Sequence, residues 1–285
     1  QKTFYKRKNK KFFFSIICAT LGNKQKIKKL CNSLIKQNYN NFELIVCDQN
    51  QNNLNLKILK QFKNLKYKYL KTKKGLSRSR NMGILKCKGD LLMFLDDDTE
   101  IKRNHLKNIN QEFNKKEIDI ICYKVINDKK KNLLKYPNKK FYINNFNQIF
   151  NYISSVSFTI KYNKFLKFDE KIGLGSNSIF QSGEETDLII REFKKRKFKI
   201  FFNNTLEVLH NEKKIKLIKN LNKKFLYGCG WSYVIKKQNF GYIFIIKNFL
   251  KIFFNISYHI ISLKLPSALL SISTLLGRIY GLSKI

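Results

Sequence analysis

The first hundred residues switch back and forth between two hydrophobic periods, and that alternation limits the fold more than any other feature of the chain. "KFFFSIICAT" is β-rich and apolar; in "NKQKIKKLCNSLIKQ", which follows, Ile27, Leu30, Cys31 and Leu34 recur at helical spacing. "NFELIVCD" reads as a second strand, "LNLKILKQF" as a helix and "KYKYLKT" as a third strand. "GLSRSRNMGILKC" is a loop entering a helix, "DLLMFLD" a fourth strand, and a helical stretch after Lys102 leads to "IDIICYKV". Strands and helices alternating at this spacing predict a parallel α/β sheet with right-handed crossovers. Ligands of such sheets bind beyond the carboxyl ends of the strands, so Asp48 and the run Asp96 to Asp98 are expected to face one crevice.

The pattern loosens from about Asn127 to Lys171, where one partner strand is expected in "SVSFTIKY". "SGEETDLIIREFKKRKF" is a helix with its acids in the first turn, a placement that suits the helix dipole, and "KIFFNN" and "LEVLH" follow as short strands. "LIKNLNKKFLYGCGWSYVIKKQ" is helical with basic flanks. From Tyr242 to Ser262 the chain is strongly apolar, with a narrow polar stripe at Lys247, Lys251, Asn255, His259 and Ser262. A spanning helix wants about 20 apolar residues, and Lys247 and Lys251 interrupt this one. An interfacial or core-packed amphipathic helix is therefore expected. "LPSALLSISTLLGRIYGL" supplies a second apolar helix, with Pro266 near its first turn.

At 285 residues the chain makes one large domain, or a domain with an appendage. Its formal charge of +39 invites a nucleic-acid reading. Against that reading, the lysines are spread along the chain instead of forming a stripe, and abundant Lys, Asn, Ile and Phe with only 2 Pro suit an AT-rich coding sequence. No nucleic-acid partner is expected, and 43% hydrophobic residues argue against disorder. Six cysteines form no C-x-x-C pair, and Cys18, Cys47 and Cys122 fall in strand-like runs; they read as reduced, buried thiols of a cytosolic protein. The basic start "QKTFYKRKNKKFFFSIICAT" reads as leading into a strand and not as a cleavable signal.

"LLMFLDDDTE" places three aspartates side by side in a chain short of acids. Adjacent carboxylates repel, and they persist where a lysine, an arginine or a divalent metal sits between them. In an extended chain Asp96 and Asp98 point the same way and Asp97 the other, so the pair can share one ligand. Mg²⁺ and Mn²⁺ take such oxygen ligands and share them with substrate phosphates. An acid cluster that caps the next helix or pairs with lysines satisfies the same pattern.

Four separated segments carry more weight: "SLIKQNYNNFELIVCDQN", "GLSRSRNMGILKCKGDLLMFLDDDTEI", "FDEKIGLGS" and "SGEETDL". In order and spacing they resemble the family-2 glycosyltransferases of bacterial polysaccharide synthesis, over roughly Phe12 to Glu212. The resemblance implies the α/β GT-A nucleotide-diphospho-sugar transferase fold, a Rossmann-like, mostly parallel sheet flanked by helices, with a C-terminal helical extension. It puts a catalytic domain at 1–212, with nucleotide-sugar binding about 12–123 and the acceptor side about 124–212, and an amphipathic helical region at 213–285. It implies inverting, metal-dependent transfer, with Mg²⁺ or Mn²⁺, from a UDP-, GDP- or dTDP-sugar to a hydroxyl of a glycan or polyprenyl-linked acceptor in surface polysaccharide synthesis. A basic nucleic-acid-binding protein and a catalytically inactive GT-A-like scaffold are the competing functions.

Residue by residue, the resemblance assigns the nucleoside to Thr20 and Asp48, and maps the family's Arg-Asn pair to Arg80 and Asn81. Arg80 falls near the diphosphate, whose geometry a guanidinium suits, with Arg78 a neighbour or a surface residue. Asp98 becomes the direct metal ligand, with Asp96 on the sugar or ribose side of the same metal site. His210 completes the metal or diphosphate site, or is a strand-end histidine satisfied by backbone; His105 and His259 read as structural. The catalytic base falls on Glu185, where relatives often carry Asp, so the sequence departs by one methylene. Glu184 and Asp187 compete with it, and a helix N-cap cluster is the further alternative. The location implied is cytoplasmic, with the tail holding the enzyme on the anionic inner face of the membrane; the alternatives are that both helices pack on the catalytic domain or pair two subunits in a homodimer.

Overall fold

The computed structural model describes residues 9–22, 24–196, 198–210 and 216–285. In chain order they form β1 (Phe14–Thr20), α1 (Lys24–Ile35), β2 (Phe42–Asp48), α2 (Leu54–Leu59), β3 (Tyr67–Lys71), α3 (Leu76–Lys86) and β4 (Leu91–Asp96). Then come β5 (Thr99–Ile101), α4 (His105–Lys115), β6 (Ile120–Ile126), β7 (Phe141–Ile143), α5 (Phe146–Tyr152) and β8 (Phe158–Lys161). The chain closes with α6 (Glu184–Arg196), β9 (Ile200–His210), α7 (Leu217–Lys237), α8 (Tyr242–Ile261) and α9 (Leu265–Ser283).

The chain divides into two compact units. One comprises Gln1–Lys73, Ser79–Lys167 and Glu192–Glu212 and holds every strand. Its sheet runs β3-β2-β1-β4-β8-β6-β9-β5, with β7 also on β9. The β/α alternation of the first hundred residues yields parallel pairing of β1 with β2 and β4, and of β2 with β3. β1 and β2 are buried along their whole length, as strands covered on both faces must be. Helix α1 buries Ile27, Leu30, Cys31 and Leu34, the positions its periodicity singles out. Cys18, Cys47 and Cys122 are core residues of β1, β2 and β6, and burial pushes the Cys47 thiol up to about 12. His105 lies edge-on to Tyr123, its imidazole pushed down to about 3 by burial.

Past β4 the sheet becomes mixed. β8 runs antiparallel to both β4 and β6, while β6 and β9 are parallel. Short β5 and β7 lie antiparallel on β9. "KIFFNN" and "LEVLH" are therefore one strand, not two. The partner of Tyr123 is Asn203 and that of Lys124 is Glu207, so the intervening residues bulge out of the ladder. Asn203 stabilises the bulge, its Oδ1 accepting from the Thr205 amide (2.9 Å) and hydroxyl (2.7 Å). Bulges re-aim a strand, and beyond this one His210 lies opposite Thr99.

The other unit comprises Lys74–Arg78, Phe168–Arg191 and Lys213–Ile285. Here α7 and α9 approach backbone to backbone, because small residues line the contact. A Cβ on Gly277 would collide with the Phe225 carbonyl, and one on Gly228 with the Thr274 carbonyl. Ser273 and Ser232 donate across the same seam to the Leu221 and Arg278 carbonyls, each at 2.7 Å. Arg278 ties in the third helix: its guanidinium lies 3.9 Å from the Trp231 ring centre and donates to the Asn248 carbonyl at 3.3 Å. Helices α8 and α9 are each long and apolar enough to cross a membrane, and Ile252 is the buried residue of α8.

Candidate active site at the strand ends

Register places the expected residues on one edge. Thr20 pairs with Asp48 and Ala19 with Asp96, so the carboxyl ends of β1, β2 and β4 finish side by side. β4 ends at Asp96, and Asp97 and Asp98 form a turn into β5 that the Thr99 hydroxyl closes on the Asp96 carbonyl (2.6 Å). The convergence of Asp96 and Asp98 thus comes from a turn and not from strand alternation.

The three aspartates share Lys26, Arg80 and His210 as neighbours. Asp97 accepts from the Thr20 hydroxyl and from Lys26 Nζ at 3.1 Å. Lys26 Nζ also lies 2.6 Å from Asp98 Oδ2, and His210 Nε2 lies 3.2 Å from Asp98 Oδ1. Asp96 is 3.4 Å from the Arg80 guanidinium and 4.0 Å from His210 Nε2. Burial alone would raise the Asp98 carboxyl, but the hydrogen bonds and charges of His210 and Lys26 outweigh it and hold it well below the usual carboxylate range. Asp96 shifts the other way: desolvation raises it, although Arg80 and His210 pull it down. Gly22 packs against this cluster, where an added Cβ would overlap the Asp97 carboxylate and push it aside.

Asp96, Asp98 and His210, all half-buried, offer ligand atoms within 4.8 Å of one another. Two carboxylate oxygens and an imidazole nitrogen on one side of a site fit a hard divalent cation that keeps further positions for phosphate and water.

Thr20, Asp48, Arg80 and Asn81, expected on the nucleotide side, are all buried beside this edge. Asp48 is fully buried and accepts from the Tyr69 hydroxyl (2.7 Å) and from the Asn50 amide (2.9 Å) and side chain (2.8 Å). Thr20 is turned inward: its oxygen donates to Asp97 and accepts from the Gly22 amide (2.8 Å). Arg80 is 1% exposed, lies over the Phe94 ring and donates to Ser155 as well as Asp96, which makes it a support for Asp96. Asn81 is buried next to it in α3. Lys26, Tyr69 and Ser155 were not singled out by sequence reasoning. Lys26 had one usable signal, its place just after β1, but it is one lysine of several on α1.

In the second unit, three acids open α6. Asp187 is wholly buried and accepts from Arg191 Nε (2.9 Å), Lys237 Nζ (3.1 Å) and Gln238 Nε2 (2.7 Å), tying α6 to α7. Glu184 is 4% exposed, whereas Glu185 is half-buried and the most open of the three. Arg78 pairs with Glu170 at 3.0 Å.

Residues 15–182, more than half of the chain, match the model of glycosyl transferase family 2. The chain belongs to that family. Among curated family members it is 29% identical over 118 residues to the poly(ribitol-phosphate) β-N-acetylglucosaminyltransferase TarS of Staphylococcus aureus, covering 39% of this chain and 21% of TarS. It is 25% identical over 138 residues to a cholesterol galactosyltransferase of Borreliella burgdorferi, covering 45% of this chain and 38% of the relative. The matched stretches thus span well under half of either relative. The crystal structure of TarS 1-349 superposes with a TM-score of 0.60 at 17% identity, covering 78% of this chain and 65% of that one. A mannosyltransferase from Pyrobaculum calidifontis, solved with GDP-Man and Mn²⁺, gives 0.58 at 9% identity, covering 80% and 65%. These likenesses establish the GT-A fold, as expected of a member of glycosyl transferase family 2.

Proposed function

We propose that the chain is an inverting, metal-dependent glycosyltransferase that moves a sugar from a nucleotide-diphosphate donor to a hydroxyl of a glycan or lipid-linked acceptor. The observation that carries this reading is the Asp96, Asp98 and His210 cluster at the carboxyl edge of the parallel strands. TarS has been crystallised with UDP and with UDP-GlcNAc, and the Pyrobaculum enzyme with GDP-Man and Mn²⁺, which supports a nucleotide-sugar donor here. Asp98, Asp96 and His210 would hold Mg²⁺ or Mn²⁺, which when bound supplies charge neutralisation at the departing diphosphate. Asp48, held by Tyr69 and Asn50 with Lys71 Nζ 3.9 Å away, is the proposed acceptor on the nucleoside side. Thr20 steadies Asp97, Arg80 fixes Asp96, and Asn81 belongs to the same donor side.

Glu185 is the proposed base. Its carboxylate takes the acceptor hydroxyl's proton as that oxygen bonds to the anomeric carbon and the bond to the diphosphate oxygen breaks on the opposite face. The engagement of Asp187 by three donors favours Glu185 for this role. Residues 1–212 would form the catalytic part, with about 12–123 serving the donor and about 124–212 the acceptor. A role in bacterial surface polysaccharide synthesis, on the cytoplasmic side of a membrane, belongs to the same proposal. Turnover of UDP-, GDP- and dTDP-sugars with Mn²⁺ or Mg²⁺ tests it: one nucleotide class should be consumed, and EDTA should stop consumption. Consumption untouched by EDTA would remove the metal from the account.

A further inference from the structure

We infer that the outer face of α8, continued by α9, docks on an anionic lipid surface, with α8 lying in the plane of the leaflet instead of crossing it. The inference deepens the membrane part of the proposed function, but it rests on the helical tail alone. Along α8 the side chains Ile243, Ile246, Leu250, Phe253, Phe254 and Ile261 are 71%, 56%, 49%, 51%, 72% and 81% exposed. Their spacing keeps them on one side of the helix, and Ile252, on the other, is its buried residue. On α9, Leu276 and Ile279 add exposure of 52% and 51%. An apolar stripe that runs the length of a 20-residue helix marks an interaction surface more than the scattered single side chains of an ordinary soluble surface do.

Charge selects the occupant. From Lys213 to Ile285 the sequence has twelve lysines and Arg278 but not one Asp or Glu. Two copies of this face meeting each other would bring lysine against lysine with no acid to answer. An anionic leaflet answers them all. Lys247 and Lys251 are exposed one turn apart along the flank of the apolar stripe. Lys264, between the helices, reaches over the Tyr258 ring (5.8 Å), and Lys284 over Tyr280 (5.3 Å). Such Lys and Tyr pairs put apolar stems and rings below polar tips, the arrangement a headgroup layer accommodates. The same lysines oppose a span, because Lys251 is the tenth residue of the 20 in α8 and would sit near the bilayer midplane. Lying flat, α8 keeps both lysines at headgroup level while its stripe enters the acyl boundary.

The full chain should float with vesicles of phosphatidylcholine and phosphatidylglycerol at low salt, stay down with phosphatidylcholine alone, and be released from the mixed vesicles near about 1 M salt. Lys247→Gln with Lys251→Gln should weaken partition by about thirtyfold, at roughly fivefold per lysine. Ile246→Gln with Phe254→Gln should abolish flotation while thermal melting is unchanged, since both residues are exposed. Three results would overturn the inference: no flotation of the full chain at low salt; flotation that resists high salt and ignores the lysine changes, the mark of a spanning helix; or a lipid-free dimer that Ile246→Gln and Phe254→Gln convert to monomer. Donor hydrolysis without vesicles is read separately, so failure of the docking and failure of the proposed chemistry are distinguishable.

Discussion

The strand edge and the helical tail handle charge in opposite ways. All 19 acidic residues precede Lys213, and at the strand edge Asp96 has Arg80 at hand while Asp97 and Asp98 share Lys26. The tail contributes cations without a single acid and leaves its apolar side chains open. Counter-charges gathered at strand ends suit a compact, highly charged ligand, because register brings the ends of β1, β2 and β4 to one edge. Cations strung beside an apolar stripe define a surface for an extended partner, where register matters little and area matters more.

The comparison is broken most easily at α6, whose acids should divide between chemistry and structure. Glu185→Gln is expected to leave donor binding intact and to cut turnover by about 10²–10⁴-fold, the usual worth of a positioned base. Asp187→Asn should instead act on stability, by about 3–5 kcal/mol, since it strips the charge from a buried acid that holds Arg191 and Lys237. Kinetics and denaturant melts on both variants check the division; equal turnover for Glu185→Gln would move the base to Glu184 or Asp187.

Packing gives the next effects in size. Gly277→Ala meets backbone and should cost about 1–3 kcal/mol or more by forcing α7 and α9 apart, measurable as a lower thermal midpoint. Gly22→Ala pushes on the Asp97 carboxylate, a movable side chain, so its stability cost should be smaller and its main effect a weaker metal site, read by Mn²⁺ titration.

The smallest effect is a pH limb. Burial raises the Asp169 carboxyl, but Lys237 Nζ at 2.6 Å, the Lys171 amide and the Tyr233 hydroxyl outweigh it and hold it below its ordinary value. A group depressed in the folded state contributes stability above its unfolded value, about 3.9, and loses that contribution as pH falls through the folded one. Thermal midpoints of the wild type should therefore fall more steeply below about pH 4 than those of Asp169→Asn.

Much of the sheet was legible because its signals are local. The run Ile27, Leu30, Cys31, Leu34 and the apolar strands β1, β2 and β4 declare their periods within a dozen residues. The three-residue strands β5 and β7 were not legible, because what makes them strands is a partner far along the chain, Thr99 with His210 and Phe141 with Phe202. The continuity of β9 was hidden for a related reason: Asn203 and Asn204 look like a break, and only pairing with β6 shows a bulge. At the site, the triple aspartate and His210 stood out through motif resemblance. Lys26 did not, since nothing local separates it from other lysines; its role follows from β1 lying in register beside β4.

The central claim is that Asp98, with Asp96 and His210, holds the divalent cation that serves the nucleotide. Mn²⁺ binding to the full chain, followed by electron paramagnetic resonance with and without UDP, tests it most directly. The account predicts saturable binding that tightens with UDP, is lost in Asp98→Asn and persists in Glu185→Gln, with the thermal midpoint of Asp98→Asn showing a folded protein. Mn²⁺ binding by Asp98→Asn at the wild-type affinity would contradict it.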